Sequence, residues 1–585
     1  MLDAIRIWRS ENLISFFLDD IQHKVKRDRA TKVSVYVAGL SAFTGSPINL
    51  FLRGESSIGK TYNTMQALAY FPQDMVIYLG GMSQKSLIHE HGILLNKNGE
   101  EIDIDNRPVK PKKRDYDSEE SFNEALAQYQ ENVKLFREEM QDSYTLVDVT
   151  DRILVFLETP SYETLHMLKP ILSHDKLEIP YKFVDKTGKG SMKTMNVRIR
   201  GWPAAIFLTV DRKYMEEIAT RSFSVTPEDS DLKRIEANML TNQQLSYPWE
   251  FEGETKGFKV IQQLLERLKE FTENGKVKVV IPFPDLHNLF PHEINRDMRD
   301  FQHFGQFLAT ITLLHYFQRP YIIHHDTRYL IAVAEDVRQA YDIYQELLET
   351  TRTGTDKRIL DFYHIIVKTK DLWYLKNLTE AYNSKYRKKL SEASIRNMLT
   401  RLDQIGYVNI RKDDTDIRTN VFIPLKTEDR EKLNNVSKLD SKASLEAKLE
   451  NSFKTWLTRC SKNTVFFSYK NNPAKPGTWG ESELTIEELS GLVMNGHKQE
   501  NISVKTTAFL EYPVKAEATQ KTEIQAEDTL KSDSKANLNI STEQQTNLGI
   551  PCPHCQGLGK KAFFANDVDL RIHISAYHET QEYVR

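Results

Sequence analysis

Cysteine is scarce. The chain holds 3 in 585 residues, too few for a disulfide framework, which points to a reducing compartment. Long apolar runs are missing as well: no stretch of about 18 uncharged apolar residues occurs, so no membrane-spanning helix is expected. The N-terminal MLDAIRIWRSENL carries charges throughout and has no signal-peptide core. These features together predict a cytoplasmic protein. Net charge is nearly absent, since 79 Lys and Arg stand against 82 Asp and Glu. No global basic field draws the chain to nucleic acid, and any such binding must rest on local patches. No internal repeat is visible. What remains is an ordinary globular composition, 40% hydrophobic and 28% charged, in a chain too long for one core; its length suggests about three or four domains.

Short continuous apolar runs at 47–54 (PINLFLRG), 74–80 (DMVIYLG), 152–158 (RILVFLE) and 203–209 (PAAIFLT) alternate with amphipathic segments. Buried parallel strands read this way, and the alternation predicts a wound α/β fold from about 36 to 290 after an N-terminal helical segment at 1–35. Residues 98–147 interrupt it with a basic loop, VKPKKR, and a highly charged helical stretch, which reads as an insertion. Residues 291–354 look purely helical, 355–425 form a separate small unit, and 426–512 are polar and poorly defined. Residues 513–548 have almost no aromatic or branched apolar content and read as a disordered linker before a compact ending at 549–585.

The most specific motif is Gly54-Glu55-Ser56-Ser57-Ile58-Gly59-Lys60-Thr61, which fits G-x-x-x-x-G-K-[ST]. The glycines let backbone N–H groups wrap a phosphate, Lys60 reaches the β- and γ-phosphates of ATP, and Thr61 offers its hydroxyl to Mg²⁺. An apolar strand precedes the loop and a helical stretch follows, so the helix N-terminus adds its own affinity for anions. The run Arg152–Glu158 supplies the apolar strand ending in acid that ATP hydrolysis needs, with Glu158 as general base for the attacking water. Such strands usually end Asp-Glu; here Leu157 holds the first place, so either Glu158 serves alone or another acid such as Asp151 assists the metal.

In this order of parts the chain resembles the AAA+ ATPases, and among them the pre-sensor hairpin group that includes minichromosome-maintenance helicases and bacterial enhancer-binding activators. The resemblance spans roughly residues 36–350. It implies a helix at 162–173 and a hairpin at 177–201 whose tip carries Lys186, Lys189 and Lys193 for DNA. It implies a polar sensor at Thr209, where the family often has Asn, and an arginine finger at Arg221, with Arg212 as the weaker choice. It implies a lid helix with a second sensor, Arg299 or else Arg296. It further implies a homo-oligomeric ring, usually of six, with ATP sites between subunits.

Residues 357–425 read as a winged helix. Ile395, Met398, Leu399, Leu402 and Ile405 fall on one helical face behind the N-cap Ser391, and the opposite face offers Arg396, Asn397, Thr400 and Arg401 to a major groove. Lys385, Arg387, Lys388 and Lys389 stand just before it. At the end of the chain, Cys552, Cys555, His573 and His578 form a ligand series for Zn²⁺. Phe564, Leu570 and His573 keep the spacing of Cys-Cys-His-His zinc fingers, which this segment resembles, with a longer gap after Cys555. HEH at 89–91 and HHD at 324–326 are metal-like but read as structural.

These features together predict an ATPase acting on DNA, with RNA open: a ring-forming helicase or replication initiator of a plasmid, virus or integrated element. The alternatives are an ATPase that loads or positions another DNA-processing enzyme, and an ATP-switched transcription regulator without translocation.

Overall fold

The computed structural model describes residues 2–495, apart from 11, 55, 81–83, 104–105, 159, 186–192, 209–221, 291–294, 354–356, 370–372, 386–388, 405–406, 414–417, 426–441, 461–463 and 472–478, together with 550–551 and 563–564. Two compact units are distinguished, residues 1–229 with 242–513, and residues 230–241 with 514–585.

The first unit is built on a five-stranded parallel sheet in the order Val76–Leu79, Ile153–Phe156, Ala204–Phe207, Leu50–Leu52, Phe223–Val225. The α/β class expected from the alternating pattern is therefore present. The apolar runs are continuous because both faces are covered. Leu50, Leu52, Ile153, Val155 and Ile206 face a core shared with the helices Leu13–Ile21 and Arg29–Ser41. Phe51, Phe156 and Phe207 point the other way and stack across adjacent strands, with ring centroids 4.5 and 4.6 Å apart. Burying each such ring contributes roughly 2–3 kcal/mol. On that second face lies the helix Tyr162–Leu172, started by Ser161, whose hydroxyl accepts from Thr164 N at 3.2 Å.

A four-stranded sheet in the order Gly92–Leu95, Tyr144–Asp148, Lys193–Arg200, Glu178–Asp185 adjoins this face. Its last two strands are the arms of the expected hairpin, paired from Glu178↔Arg200 to Asp185↔Lys193. Between its first two strands runs the charged insertion, a 21-residue helix, Glu119–Glu139, with no buried residue. The helix 162–173 and the hairpin 177–201 thus stand where the sequence placed them.

One expectation needs correction. Residues 291–354 are not purely helical. Between the helices Asn295–Leu314 and Ala334–Thr353 stands a hairpin, Tyr321–His324 with Thr327–Ile331, that turns at His325 and Asp326, both with positive φ. A two-residue turn of this kind matches the twist of the flanking strands. Within 426–512 the described residues include regular elements. They form a helix Lys442–Arg459, a hairpin Phe466–Asn471 with Trp479–Leu484, and a helix Ile486–Asn495. The two hairpins join Val277–Val280 in a second five-stranded sheet.

Leu445, Phe453, Phe466, Leu489 and Val493 enter the same core as the N-terminal helices and the central sheet. Residues of the N-terminal helices, of the helices Asn295–Leu314 and Ala334–Thr353, and of the described stretches within 442–495 therefore share one core. The helix boundary near 35 also dissolves, because Arg29–Ser41 runs through it. Gly39 in that helix lies against Phe71; a Cβ there would stand 2.7 Å from the ring Cζ, so a larger residue must displace a buried phenyl group.

Between these parts of the shared core, residues 357–425 form a body with its own core. The helices Lys357–Thr369, Leu375–Lys385 and Glu392–Gln404 pack Leu360, Tyr363, Leu378, Ile395 and Leu399 against a three-stranded antiparallel sheet, Trp373–Tyr374, Asn420–Pro424, Val408–Lys412. In the second unit, Ile550–Pro551 pairs antiparallel with Phe563–Phe564. The linker at 513–548 lies outside the described residues.

Candidate functional site

All strands of the central sheet run the same way, so their carboxyl ends form one edge. The strand Leu50–Leu52 delivers Gly54 to that edge, and the helix Lys60–Leu68 carries the chain away. Gly54 (φ +127°), Ser57 (φ +65°) and Gly59 (φ +92°) all adopt positive φ. The first and last of these demand glycine in practice, since a side chain there is strained whatever space surrounds it. Lys60 is the first helical residue, and its Nζ donates to the Gly54 carbonyl at 2.8 Å. The motif is thus a closed loop at a helix N-terminus. Ser56, Ser57 and Thr61 are exposed around it; Glu55 lies outside the described residues.

The register places Phe51, Phe207 and Phe156 level across three strands. Glu158, two residues beyond Phe156, therefore reaches the same edge and is exposed there. One strand, Ala204–Phe207, separates the acid-ended strand from the loop strand. That puts the two about 10 Å apart, room for a terminal phosphate and a water between them. Leu157 is half-buried, bonds to the Leu79 carbonyl through its own N at 2.9 Å and packs against the core, so it offers no metal ligand. Asp151 lies elsewhere. It precedes the strand Ile153–Phe156 at the amino end, a strand length of about 13 Å from the loop edge. There desolvation, then the Asp148 charge, raise its carboxyl pKa.

Arg299 also lies at the amino edge. On the helix Asn295–Leu314, it lines a cavity of about 340 Å³ with Pro47, Asn49, Leu172, His174 and Phe223, residues that precede or begin central strands or end the neighbouring helix. Within one chain, Arg299 is not brought to the Gly54–Thr61 loop. The physical reason is that its helix packs Phe304, Phe307 and Ile311 into the core, which leaves the Arg299 face directed at the opposite edge. Arg296 begins the same helix, but its side chain is outside the described residues, as are Thr209, Arg212 and Arg221.

Four residues at the loop edge, Arg27, Asp28, Asn63 and Glu228, had no sequence signal. Asp28 is buried, with φ +57°, directly after Arg27 at φ +54°. Its Oδ2 accepts from Asn63 Nδ2 at 2.8 Å and its Oδ1 from Glu228 N at 2.6 Å. Asn63 Nδ2 also donates to the Gly59 carbonyl at 2.9 Å. Glu228 in turn accepts from Arg27 Nε at 2.7 Å. Partners 35 and 200 residues apart in sequence leave no local pattern to read.

Of the nucleic-acid candidates, Arg396, Asn397 and Thr400 are exposed on the helix Glu392–Gln404, and Arg401 is half-buried. Ser391 caps this helix, accepting from Ser394 N at 3.3 Å. Exposed Lys389 leads into it. Asn383 clamps the basic loop there, donating to the Leu390 carbonyl at 3.0 Å and accepting from Leu390 N at 2.7 Å. Lys193 is the first residue of its hairpin strand; Lys186 and Lys189 lie outside the described residues. So do Cys552, Cys555, His573 and His578. Among the described residues, no three His, Cys, Asp or Glu side chains gather to hold a metal ion, and no helix is long and apolar enough to cross a membrane. No family model and no curated protein matches the chain.

Proposed function

We propose that the chain is an ATPase of the AAA+ kind that acts on DNA. The observation that carries this reading is the closed Gly54–Thr61 loop at the carboxyl edge of a parallel sheet, with Lys60 at a helix N-terminus and Glu158 on the same edge. Ligands of open α/β sheets bind at that edge, where the chain leaves one strand in one direction and returns on the other side. Here the chain passes from Leu50–Leu52 to the far strand Val76–Leu79, returns strand by strand to Ala204–Phe207, then crosses to Phe223–Val225 on the other flank.

Backbone N–H groups of the loop bind the β-phosphate, Lys60 exchanges its bond to Gly54 for the γ-phosphate, and Thr61 holds Mg²⁺, which neutralises phosphate charge when bound. Glu158 orients the attacking water. Arg221 and Thr209 complete the site in this reading, Arg221 from a neighbouring subunit of a ring.

The body at 357–425 has the helix and strand content of a winged helix, with Arg396 and Arg401 turned to DNA. The paired arms Glu178–Asp185 and Lys193–Arg200 support a projecting hairpin, with Lys186, Lys189 and Lys193 meeting phosphates. The C-terminal Cys-Cys-His-His set binds Zn²⁺ as a tethered module. Together these parts favour a helicase or replication initiator over a loader or a transcription regulator. The test is ATP hydrolysis by the purified chain with and without DNA, alongside unwinding of a forked duplex. DNA-stimulated hydrolysis with strand separation is expected. Stimulated hydrolysis without separation favours the loader, and absence of hydrolysis overturns the proposal.

A further inference from the structure

A buried carboxylate, Asp28, reaches the Gly54–Thr61 loop through Asn63. Asn63 stands one helical turn after Gly59, and its backbone N donates to the Gly59 carbonyl at 3.0 Å as the first bond of the helix. Its side-chain amide donates to the same carbonyl and to Asp28 Oδ2. Both acceptors are oxygens that cannot donate, so this network fixes which end of the amide is nitrogen. The loop's last glycine, whose left-handed backbone sets the entry angle of Lys60, is therefore tied through Asn63 to Asp28. Asp28 is tied in turn to Glu228 N, just beyond the strand Phe223–Val225. A second tether runs alongside, from the Tyr62 hydroxyl to the Lys24 carbonyl at 3.0 Å.

Arg27 and Asp28 adopt left-handed conformations in succession, a strain that persists only where surrounding contacts impose it and that concentrates at functional sites. The strand order puts this clasp on the flank of the loop strand away from Glu158, which lies across Ala204–Phe207 on the opposite flank.

We infer that Asp28 is a positioning residue for nucleotide binding. Through Asn63 it holds Gly59 and Lys60 in the geometry that cradles phosphate, and it couples that geometry to the N-terminal segment and to Glu228. The inference rests on the nucleotide reading above. Because the clasp stands away from the hydrolytic acid, its loss weakens nucleotide binding far more than it slows the chemical step.

The experiment compares wild-type, Asp28→Ala, Asp28→Asn and Asn63→Ala proteins as full chains. Three quantities are measured: Kd for ATP with Mg²⁺, the split between KM and kcat in hydrolysis, and amide hydrogen exchange across 56–63 without nucleotide. In Asp28→Ala, Kd and KM should rise about tenfold, the weight of one charge-assisted hydrogen bond, while kcat falls less than threefold. Asp28→Asn retains an acceptor for Glu228 N but sets an amide against the Asn63 amide, so it should fall between wild type and Asp28→Ala. Exchange at 56–63 should accelerate in the nucleotide-free variants, a readout that needs no activity. If Asp28→Ala does not fold, Asn63→Ala carries the test, because it cuts the link to Gly59 and leaves the bond to Glu228 in place. Wild-type protein that binds ATP, with variants unchanged in Kd and exchange, overturns the positioning role and leaves the nucleotide reading standing. Wild-type protein that does not bind ATP overturns both.

Discussion

The two edges of the central sheet are made of similar residues but partner them differently. At the amino edge, charged groups answer one another. Lys269 Nζ reaches Asp74 Oδ2 at 2.5 Å, Arg152 reaches the same carboxylate at 3.4 Å, and these contacts draw the Asp74 pKa down, the Lys269 hydrogen bond most of all. Arg200 likewise bonds Asp148 Oδ2 at 2.6 Å. At the carboxyl edge the loop presents exposed Ser56, Ser57 and Thr61, a lysine bound to its own loop and an exposed glutamate. Exposed ion pairs contribute little stability, commonly less than about 1 kcal/mol, so the amino edge reads as a solvated surface with one cavity. The carboxyl edge keeps Gly54 and Gly59 in positive-φ conformations that other residues rarely adopt, Ser57 at φ +65°, and the start of the helix Lys60–Leu68. The lesson is positional: an acid or an arginine near a phosphate loop in sequence counts only if it leaves the sheet at the same edge.

The sharpest break of this comparison is Lys60→Ala against Asp151→Ala. The first should remove ATP hydrolysis to below a hundredth of wild type, and the second should leave the rate within about twofold. A strong loss with Asp151→Ala would mean that the amino edge takes part in chemistry. Next in size, Glu158→Gln should keep ATP affinity but lower turnover about a hundredfold or more, measured by pairing equilibrium binding with single-turnover hydrolysis.

A third experiment separates loss of fold from loss of the loop edge. His315 is fully buried; its Nδ1 donates to the Ile311 carbonyl at 2.9 Å and its Nε2 accepts from Leu13 N at 3.3 Å, beside the buried pair Arg319–Asp336. Burial, then the Arg319 charge, lower its pKa to about 4. Below the ordinary histidine value near 6.5 the unfolded chain takes a proton that the folded chain refuses. Stability from this group is therefore complete above about pH 6.5 and falls as pH drops towards 4, by on the order of 3 kcal/mol. Denaturant melts of wild type and His315→Gln at pH 7.5 and 5 should show the steeper acid loss in wild type. Equal slopes would assign acid sensitivity elsewhere.

The smallest effect belongs to Arg299→Ala. In dilute protein its ATP affinity should stay within about twofold of wild type, because Arg299 opens onto the amino-edge cavity. A tenfold loss under conditions where the chain is monomeric would place this arginine at the loop edge after all.

The Gly54–Thr61 loop is legible because its residues are consecutive: two glycines at positive φ, a lysine and a threonine at a helix start, after a run buried on both faces. The strands 50–52, 153–156 and 204–207 were legible for the same reason. The hairpin at 321–331 is hard to read from sequence because its short YIIH, HD and TRYLI pattern lies between two stretches of strong helical periodicity. The region 442–495 was missed because it is polar on most of its surface and buries only a few positions, among them Leu445, Phe453, Leu489 and Val493.

By itself, then, the sequence determined an α/β pattern with a loop of G-x-x-x-x-G-K-[ST] form, a charged helix in the insertion and a separate small unit near 357–425. All of these follow from residues within one element or one turn of each other. Tertiary structure alone decided that Asp151 and Arg299 leave the sheet on the far side and that residues 442–495 close the same core as residues 4–52. It also decided that Asp28 reaches across 35 residues to Asn63 and 200 to Glu228. Local patterning encodes which way a side chain faces along its own element. Which edge it arrives at depends on strand order, and strand order is set by packing among segments far apart in the chain.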